Sequence, residues 1–255
     1  NITPPEFMRP YNELLARWLE SAYQDAAFLK DRAELVIADS NYNGNDLRKM
    51  GYTCDIQTVP IIVDFEDFTK EPDPGIMEAF SKEKGITNIL FVGRLAPNKK
   101  QEDVIADFYY YTKYFNPNSR LILIGSDSGL ESYSYSLKKY VKELGLTNVI
   151  FPGHIPFSHI LAYYRTADLF LCESEHEGFC VPLLEAMYFD IPVVAYDSRG
   201  AGFLLKEKNP QLTAAIVHEI LSDPDLQERM KAQQRKRLEY FQSDVHLENL
   251  IRYLT

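Results

Sequence analysis

The chain has 255 residues, of which 45% are hydrophobic and 25% charged, and its formal net charge at pH 7 is −10. That length allows one large domain, or one domain with part of another, and it includes no stretch of the roughly 18 apolar residues that a membrane span requires. The acidic balance excludes a broad nucleic acid interface, although two local cations suffice to bind a small phosphate ligand.

The first 65 residues contain few predicted elements. Their pattern predicts a helix over 10–30, a short strand over 34–40 and a helix that ends near Gly51, followed by an extended segment over 59–68. One strand–helix unit cannot bury its own sheet face. Either this unit docks on the rest of the chain, or most of its parent domain is missing.

Short apolar runs alternate with amphipathic helical segments between residues 87 and 196. Apolar residues at consecutive positions are typical of strands that are covered on both faces. The alternation predicts right-handed βαβ units and therefore a doubly wound α/β domain with a parallel sheet. The predicted strands are 88–93, 120–125, 148–153, 168–173 and 191–196.

Capping residues predict where several helices begin. Ser158 is predicted to cap the helix that follows the third of these strands. A later helix is predicted over 212–222, and the next has Asp223 as its cap and Pro224 at its first position. The last predicted helix covers about 245–254.

The loop GRLAPNKK, residues 93–100, follows the first of these strands. Open parallel sheets bind ligands at the carboxyl ends of their strands. Gly93 lets the backbone turn tightly, while Arg94 and Lys99 place two cations where a diphosphate could lie. The alternative is that both are solvated loop charges. The turn at 125–129, GSDSG, is not assigned a role.

The segment EHEGFCVPLLEAM, residues 175–187, predicts a loop followed by a helix that begins near Val181. The amides from Cys180 to Leu183 would be free donors at the helix start, which is a ready site for an anion. Gly178 allows a ligand to approach the backbone closely.

Two carboxylates, Glu177 and Glu185, lie at different depths of this segment. A carboxylate can accept hydrogen bonds from two neighbouring hydroxyls, so each is suited to a sugar diol. The alternative is that both are ordinary acids that the helix dipole favours near its N-terminus.

The three cysteines, Cys54, Cys172 and Cys180, are widely spaced and odd in number. This pattern favours neither a zinc ribbon nor a disulfide framework. Cys172 lies in an apolar run, which favours a buried and inert thiol. We therefore expect a protein without a metal.

Together, these segments resemble the retaining GT-B glycosyltransferases of family four. The signature of that family is two glutamates separated by seven residues within a strand–loop–helix, and Glu177 and Glu185 show that separation. GRLAPNKK resembles the family's Gly-Arg-Leu…Lys segment, and ADLFLCES and FDIPVVAYDS resemble its flanking strands. The resemblance covers roughly residues 55–245.

The resemblance implies a role for each site residue. Arg94 and Lys99 would hold the donor diphosphate and stabilise its charge as it leaves, so that no metal or cofactor is needed. Glu177, with the amides that follow it, would hold the transferred sugar, and Glu185 would bind the ribose. The expected catalytic residues are Arg94, Lys99 and Glu177. The other expected donor-binding residues are Gly93, Ile155 near the base, Gly178, Phe179, Cys180, Val181 and Glu185.

The implied function is the retaining transfer of a hexose from a UDP- or GDP-sugar to a glycan or a lipid-linked acceptor. The expected location is the cytoplasm or the inner face of the membrane, with peripheral membrane contact through an absent N-terminal half. Two alternatives remain open: a non-catalytic module that binds nucleotide sugars, and a GT-B-like sugar-nucleotide epimerase with His176 as its acid–base group. The oligomeric state is left open.

The resemblance also implies the domain organisation. Residues 1–65 resemble the end of the acceptor-binding Rossmann domain and its linker, 66–243 form the donor-binding domain, and 244–255 form a C-terminal helix. We expect a fragment that binds donor but transfers sugar poorly alone. The connection DSRG after the last predicted strand is shorter than the resemblance implies. Either the loop has been lost, or residues are missing from the sequence there, and we favour the second interpretation.

Three residues depart from the family pattern. Lys100 and Cys180 stand where glycine is usual, and Glu173 replaces a common proline.

Overall fold

The computed structural model describes residues 2–196, 203–241 and 244–254. Asn1 and the connection DSRG (197–200) therefore lie outside the described residues. The strands are β1 (Leu35–Ala38), β2 (Asp55–Thr58), β3 (Thr87–Val92), β4 (Ser119–Ile124), β5 (Val149–Gly153), β6 (Leu169–Cys172), β7 (Val193–Tyr196) and β8 (Phe203–Leu205). The helices are α1 (Pro5–Met8), α2 (Glu13–Leu29), α3 (Asn41–Lys49), α4 (Pro74–Lys82), α5 (Gln101–Tyr114), α6 (Glu131–Glu143), α7 (Phe157–Thr166), α8 (Val181–Tyr188), α9 (Pro210–Ser222), α10 (Pro224–Phe241) and α11 (Asp244–Leu254).

The main sheet contains six parallel strands in the order β5-β4-β3-β6-β7-β8. From β3 the chain adds β4 and β5 on one side of the sheet. It then returns to place β6 on the other side of β3, followed by β7 and β8. The strand order therefore reverses between β3 and β6, where doubly wound folds form their ligand crevice. Central residues of β3, β4 and β6 are fully buried, as their apolar runs predict. The predicted doubly wound α/β fold is confirmed.

All five strands predicted in this region are present, and the helices predicted over 212–222 and 245–254 correspond to α9 and α11. The Asp223 cap of α10 is also confirmed, because its Oδ1 accepts a hydrogen bond from the Leu226 amide at 2.9 Å. The Ser158 cap is wrong. Helix α7 begins at Phe157, and the backbone carbonyl of Pro156 accepts the first amides, which places Ser158 inside the first turn.

The N-terminal residues form a smaller parallel pair, β1 and β2, with its own core of Ala38, Tyr52 and Ile56. This unit docks on the rest of the chain. The side-chain amide of Asn12 donates to the Gly129 carbonyl at 2.7 Å, and the Ser40 hydroxyl donates to the Gly178 carbonyl at 3.0 Å. Strand β2 was not predicted, because its sequence DIQT buries one apolar side chain only.

The segment over 59–68, predicted to be extended, is irregular up to residue 65 and then forms a 3-10 helix, Glu66–Thr69. Within the described ranges, no helix is both long and apolar enough to cross a membrane.

Candidate active site

Two loops meet at the point where the strand order reverses: residues 93–100 after β3 and residues 173–180 after β6. Asn98 joins them. Its carbonyl accepts the Glu175 amide at 2.9 Å, and its side-chain amide donates to the His176 carbonyl at 3.0 Å. Sequence reasoning missed Asn98, because a single loop asparagine has no distinctive pattern. These hydrogen bonds hold the loop after β3 against the loop after β6.

Lys99 and Glu177 form an ion pair across these loops. Lys99 ends the 3-10 helix Pro97–Lys99, and its ammonium donates to Glu177 Oε2. Burial lowers the pKa of Lys99, but the adjacent Glu177 charge and hydrogen bond outweigh that effect and leave this pKa raised. The Lys99 side chain therefore stays charged beside a carboxylate whose side chain is only 7% exposed.

Glu177 has unused hydrogen-bonding capacity. Among the described residues, its Oε1 is buried and has no hydrogen-bond partner. A buried acceptor without a partner costs free energy, typically about 1–3 kcal/mol or more when charged. A hydroxyl bound in the cleft would remove that cost, so this oxygen marks a position suited to a polar ligand.

Left-handed backbone occurs at both positions where the resemblance expects glycine. Lys100 has φ 54° and Cys180 has φ 64°. Glycine adopts this conformation without strain, whereas other residues lose about 1–3 kcal/mol there. Both departures therefore keep the backbone shape that glycine favours, at a cost in stability.

The start of α8 offers fewer donors than the sequence predicts. Pro182 has no amide hydrogen, and the Leu183 amide already donates to the Cys180 carbonyl at 3.1 Å. The prediction of free amides from Cys180 to Leu183 is wrong for these two positions. The amides of Cys180 and Val181 remain as donors at this helix start.

Arg94 contacts the turn at 125–129 rather than the Lys99–Glu177 pair. Its exposed guanidinium donates to the Ser128 carbonyl at 2.8 Å. This turn therefore contacts a residue that is predicted to bind the diphosphate, although the sequence alone assigned the turn no role. The backbones of the two loops approach each other closely at Gly93 and Gly125. A Cβ placed on Gly125 would lie 1.9 Å from the carbonyl oxygen of Gly93.

We expect Gly125→Ala to lower the free energy of unfolding by roughly 3 kcal/mol, because the new methyl forces the β3 and β4 loops apart and overpacked sites typically lose 1–3 kcal/mol or more. Urea denaturation measures this change. Gly44→Ala is the matched control. Gly44 lies in α3, and its added Cβ would approach no atom closer than 3.4 Å. Equal stability of the two variants would refute the close approach.

Glu185 lies in the fifth position of α8, deeper than Glu177. Its Oε2 accepts a hydrogen bond from the hydroxyl of Tyr164, on α7, at 2.5 Å. Burial raises the pKa of Glu185, and the Tyr164 hydrogen bond only partly opposes this.

Ile155 precedes α7 at the carboxyl end of β5, where it is partly buried. The Phe179 ring packs edge-on against Phe241 of α10, with centroids 5.3 Å apart.

A buried acid pair lies beneath the loop after β6. Glu173 is 1% exposed and Asp107, on α5, is 3% exposed. Among the described residues, both carboxyl oxygens of Glu173 and Oδ2 of Asp107 are buried without a hydrogen-bond partner, and the two groups lie close enough for each to shift the pKa of the other. Burial raises the pKa of Glu173 to about 7, while Asp107 and the Lys208 charge only partly oppose it. Burial and the Glu173 charge raise the pKa of Asp107 as well.

Lys208 does not neutralise this pair directly. Its ammonium donates to Asp103 Oδ2 at 2.5 Å and to the backbone carbonyl of Glu173 at 3.0 Å, and it lies 3.0 Å from Glu175 Oε1. Sequence reasoning noted Glu173 only as a departure from proline. Its partner Asp107 was missed because an acid on a helix has no pattern that predicts burial.

His176 packs against the N-terminal unit. Its ring lies 6.5 Å from that of Phe7 and 5.9 Å from that of Tyr42. Burial lowers the pKa of His176. The side chain is therefore neutral at pH 7 and buried between aromatic rings.

Cys172 is buried, as predicted, but it is not isolated. The Sγ atoms of Cys172 and Cys180 and a carboxylate oxygen of Glu177 all lie within 4.8 Å of one another. The spacing of these residues in the sequence does not indicate this arrangement.

Comparison with known proteins identifies a family. The family model for glycosyl transferases group 1 matches residues 75–237. The D-inositol 3-phosphate glycosyltransferase of Jonesia denitrificans is 25% identical over 234 residues, which cover 84% of this chain and 55% of that relative. The chain thus spans about half the length of this curated relative.

Two solved structures share the fold. Anabaena Alr3699/HepE in complex with UDP and glucose has a TM-score of 0.77 at 21% identity, covering 92% of this chain and 66% of that one. Sucrose-phosphate synthase from Thermosynechococcus elongatus has a TM-score of 0.76 at 22% identity, covering 92% and 62%. The family match spans more than half of the chain and includes both loops of the candidate site. The chain belongs to the glycosyl transferases group 1 family.

Proposed function

We propose that this chain carries the donor site of a retaining glycosyltransferase that moves a hexose from a UDP- or GDP-sugar to a glycan or lipid-linked acceptor. The observation that carries the proposal is the Lys99–Glu177 pair, which spans the two loops where the strand order reverses. The UDP and glucose in the Anabaena structure support a donor of this class.

In the proposed site, one set of groups binds the diphosphate of the donor and another binds its sugar and nucleoside. Lys99 and Arg94 bind the diphosphate, and Gly93 lets the backbone turn beneath it. The amides of Cys180 and Val181 add donors at the start of α8. In this structure Arg94 bonds to the Ser128 carbonyl, so diphosphate binding would redirect its guanidinium.

The remaining groups of the proposed site bind the sugar and the nucleoside. Glu177 accepts a hydrogen bond from the transferred sugar through its free Oε1, next to the amides of Gly178 and Phe179. Glu185 accepts hydrogen bonds from the ribose, and the base lies near Ile155.

The proposed reaction needs no protein nucleophile and no metal. The bond between the anomeric carbon and the diphosphate oxygen breaks, and the acceptor oxygen bonds to the same face of that carbon. The acceptor proton passes to the leaving diphosphate. Negative charge grows on the diphosphate as the bond breaks, and the fixed Lys99 ammonium stabilises that charge.

The epimerase alternative requires an acid–base group in the cleft, and His176 was the candidate. Its buried position between Phe7 and Tyr42 argues for a packing role instead. A non-catalytic binding module would show donor affinity without turnover in the complete protein. The domain limits at residues 65 and 243 stay part of the proposal.

We expect calorimetry to detect binding of UDP or GDP, and Glu185→Gln to weaken it by about 10- to 100-fold. Hydrogen bonds to a charged group contribute about 1.5–3 kcal/mol, and 1.4 kcal/mol is a tenfold change in affinity. Glutamine keeps an acceptor for the Tyr164 hydroxyl, so the fold is preserved. Glu143→Gln, at the exposed end of α6, is the control. Equal affinity in Glu185→Gln would refute the ribose role, and binding of neither nucleotide by the unmodified chain would refute the proposed donor site.

A further inference from the structure

Two cysteines and a glutamate converge at the base of the candidate cleft. Cys172 ends β6, Cys180 precedes α8, and Glu177 lies in the loop between them. Their three potential ligand atoms lie within 4.8 Å of one another. Cys172 is 1% exposed and Cys180 is 8% exposed. The role proposed for Glu177 in sugar binding does not use either thiol.

The chemistry of this group favours a thiophilic divalent cation. Thiolates and a carboxylate are ligands of Zn²⁺ and related ions. In a tetrahedral site with Zn–S bonds of about 2.3 Å, the ligand atoms lie roughly 3.7 Å apart. The distances between the three ligand atoms would therefore need to shorten by about 1 Å at most. Rotation about their side-chain bonds can supply a movement of this size.

The local charge also suits a divalent ion. Two thiolates and one carboxylate carry three negative charges, and Lys99 beside Glu177 carries one positive charge. A bound divalent ion brings the sum to zero, which removes the main cost of burying charge there. Each thiol gives up one proton on binding, so two protons are released for each ion.

The group is reachable from solvent through the cleft. Glu177 and Cys180 line a cavity together with Gly178, Phe179 and residues of the N-terminal unit. An ion entering there meets Glu177 and Cys180 before Cys172. The Ser174 hydroxyl lies 3.3 Å from Cys172 Sγ and orients that thiol.

We propose that Cys172, Glu177 and Cys180 form a site for a thiophilic divalent cation, and that an ion bound there blocks the donor. The bound ion holds the Glu177 carboxylate beside Lys99, so that neither group is free for the donor, and leaves the fourth ligand position facing the cleft. This consequence rests on the proposed function, whereas the cation site itself does not. Such an ion would be an inhibitor, consistent with a reaction that uses no metal.

Cadmium titration of the reduced, metal-free chain tests the site directly. We expect a thiolate-to-cadmium charge-transfer band that saturates at one ion per chain, with two protons released. Zinc should compete for the same site. Cys172→Ser and Cys180→Gly should each weaken cadmium binding at least tenfold. Glycine is chosen because the backbone φ of 64° at Cys180 suits it, so this variant should fold.

Cys54→Ser is the matched control, because Cys54 packs on the separate core of the N-terminal unit. It should leave the band unchanged. A band that survives in both Cys172→Ser and Cys180→Gly, or that is lost in Cys54→Ser, would overturn the proposal. The absence of a saturating band in the unmodified chain would do the same.

A second measurement tests inhibition. Zinc should weaken nucleotide binding at least tenfold and a chelator should restore it. Cys172→Ser, which changes a thiol that has no part in the proposed donor site, should bind nucleotide equally with and without the zinc concentration that inhibits the unmodified chain. A cadmium site that has no effect on nucleotide binding would refute the inhibitory role alone. A chain that binds cadmium but no nucleotide would refute the proposed function and leave the cation site standing.

Discussion

Lys99→Ala is expected to lower the turnover of the complete enzyme by about 10²- to 10³-fold, the usual loss when one fixed group that stabilises developing charge is removed. The ammonium of Lys99 is held by Glu177 in the crevice where the proposed diphosphate leaves. Because it is already oriented, the proposed mechanism needs no reorganisation of Lys99 for it to stabilise the leaving charge. Steady-state assays at saturating donor measure the effect, and Lys139→Ala, at an exposed position in α6, is the control.

The same substitution leaves the buried Glu177 carboxylate without its partner, which typically destabilises a protein by about 3–5 kcal/mol. A loss of fold must therefore be separated from a loss of chemistry. Lys99→Ala combined with Glu177→Gln removes the unpaired charge and should recover most of the stability, measured by urea denaturation. Turnover should stay low in this double variant. Unchanged turnover in folded Lys99→Ala would refute the assignment of Lys99.

The sequence predicted the parts of this site that have a regular signature. Apolar runs predicted five of the six strands of the main sheet, and the segment 175–187 predicted a helix that begins near Val181, where α8 begins. The left-handed backbone at Lys100 and Cys180 agrees with the glycines that the resemblance to the family predicts there. These features depend on neighbouring residues, which a sequence displays directly.

Other features depend on contacts between distant segments. The Lys99–Glu177 pair joins residues 78 positions apart, and the convergence of Cys172 with Cys180 depends on how the loop after β6 folds back. Strand β8 has three residues, too few for a periodic pattern. The Ser158 cap failed because Pro156 already ends the preceding loop and its carbonyl accepts the first helical amides.

The buried Glu173–Asp107 pair should make stability depend on pH. The pKa of Glu173 is raised from 4.5 to about 7, so between these values the folded state binds more protons than the unfolded state. The stability that the bound proton contributes is fully present below about pH 4.5. It declines as the pH rises and is lost above about pH 7. The raised pKa of Asp107 acts in the same direction.

Glu173→Gln should therefore be more stable than the unmodified chain at pH 8, by on the order of 3 kcal/mol, since a difference of one in pKa between the folded and unfolded states corresponds to about 1.4 kcal/mol. Glutamine can donate to Asp107 at every pH, so the advantage should shrink as the pH falls towards 5. Urea denaturation from pH 5 to 8, with EDTA present, measures the difference. Glu143→Gln, which changes an exposed acid of α6, should show no such trend. A stability difference independent of pH would mean that Glu173 does not hold the proton, because only a titrating group makes the advantage of a neutral side chain grow with pH.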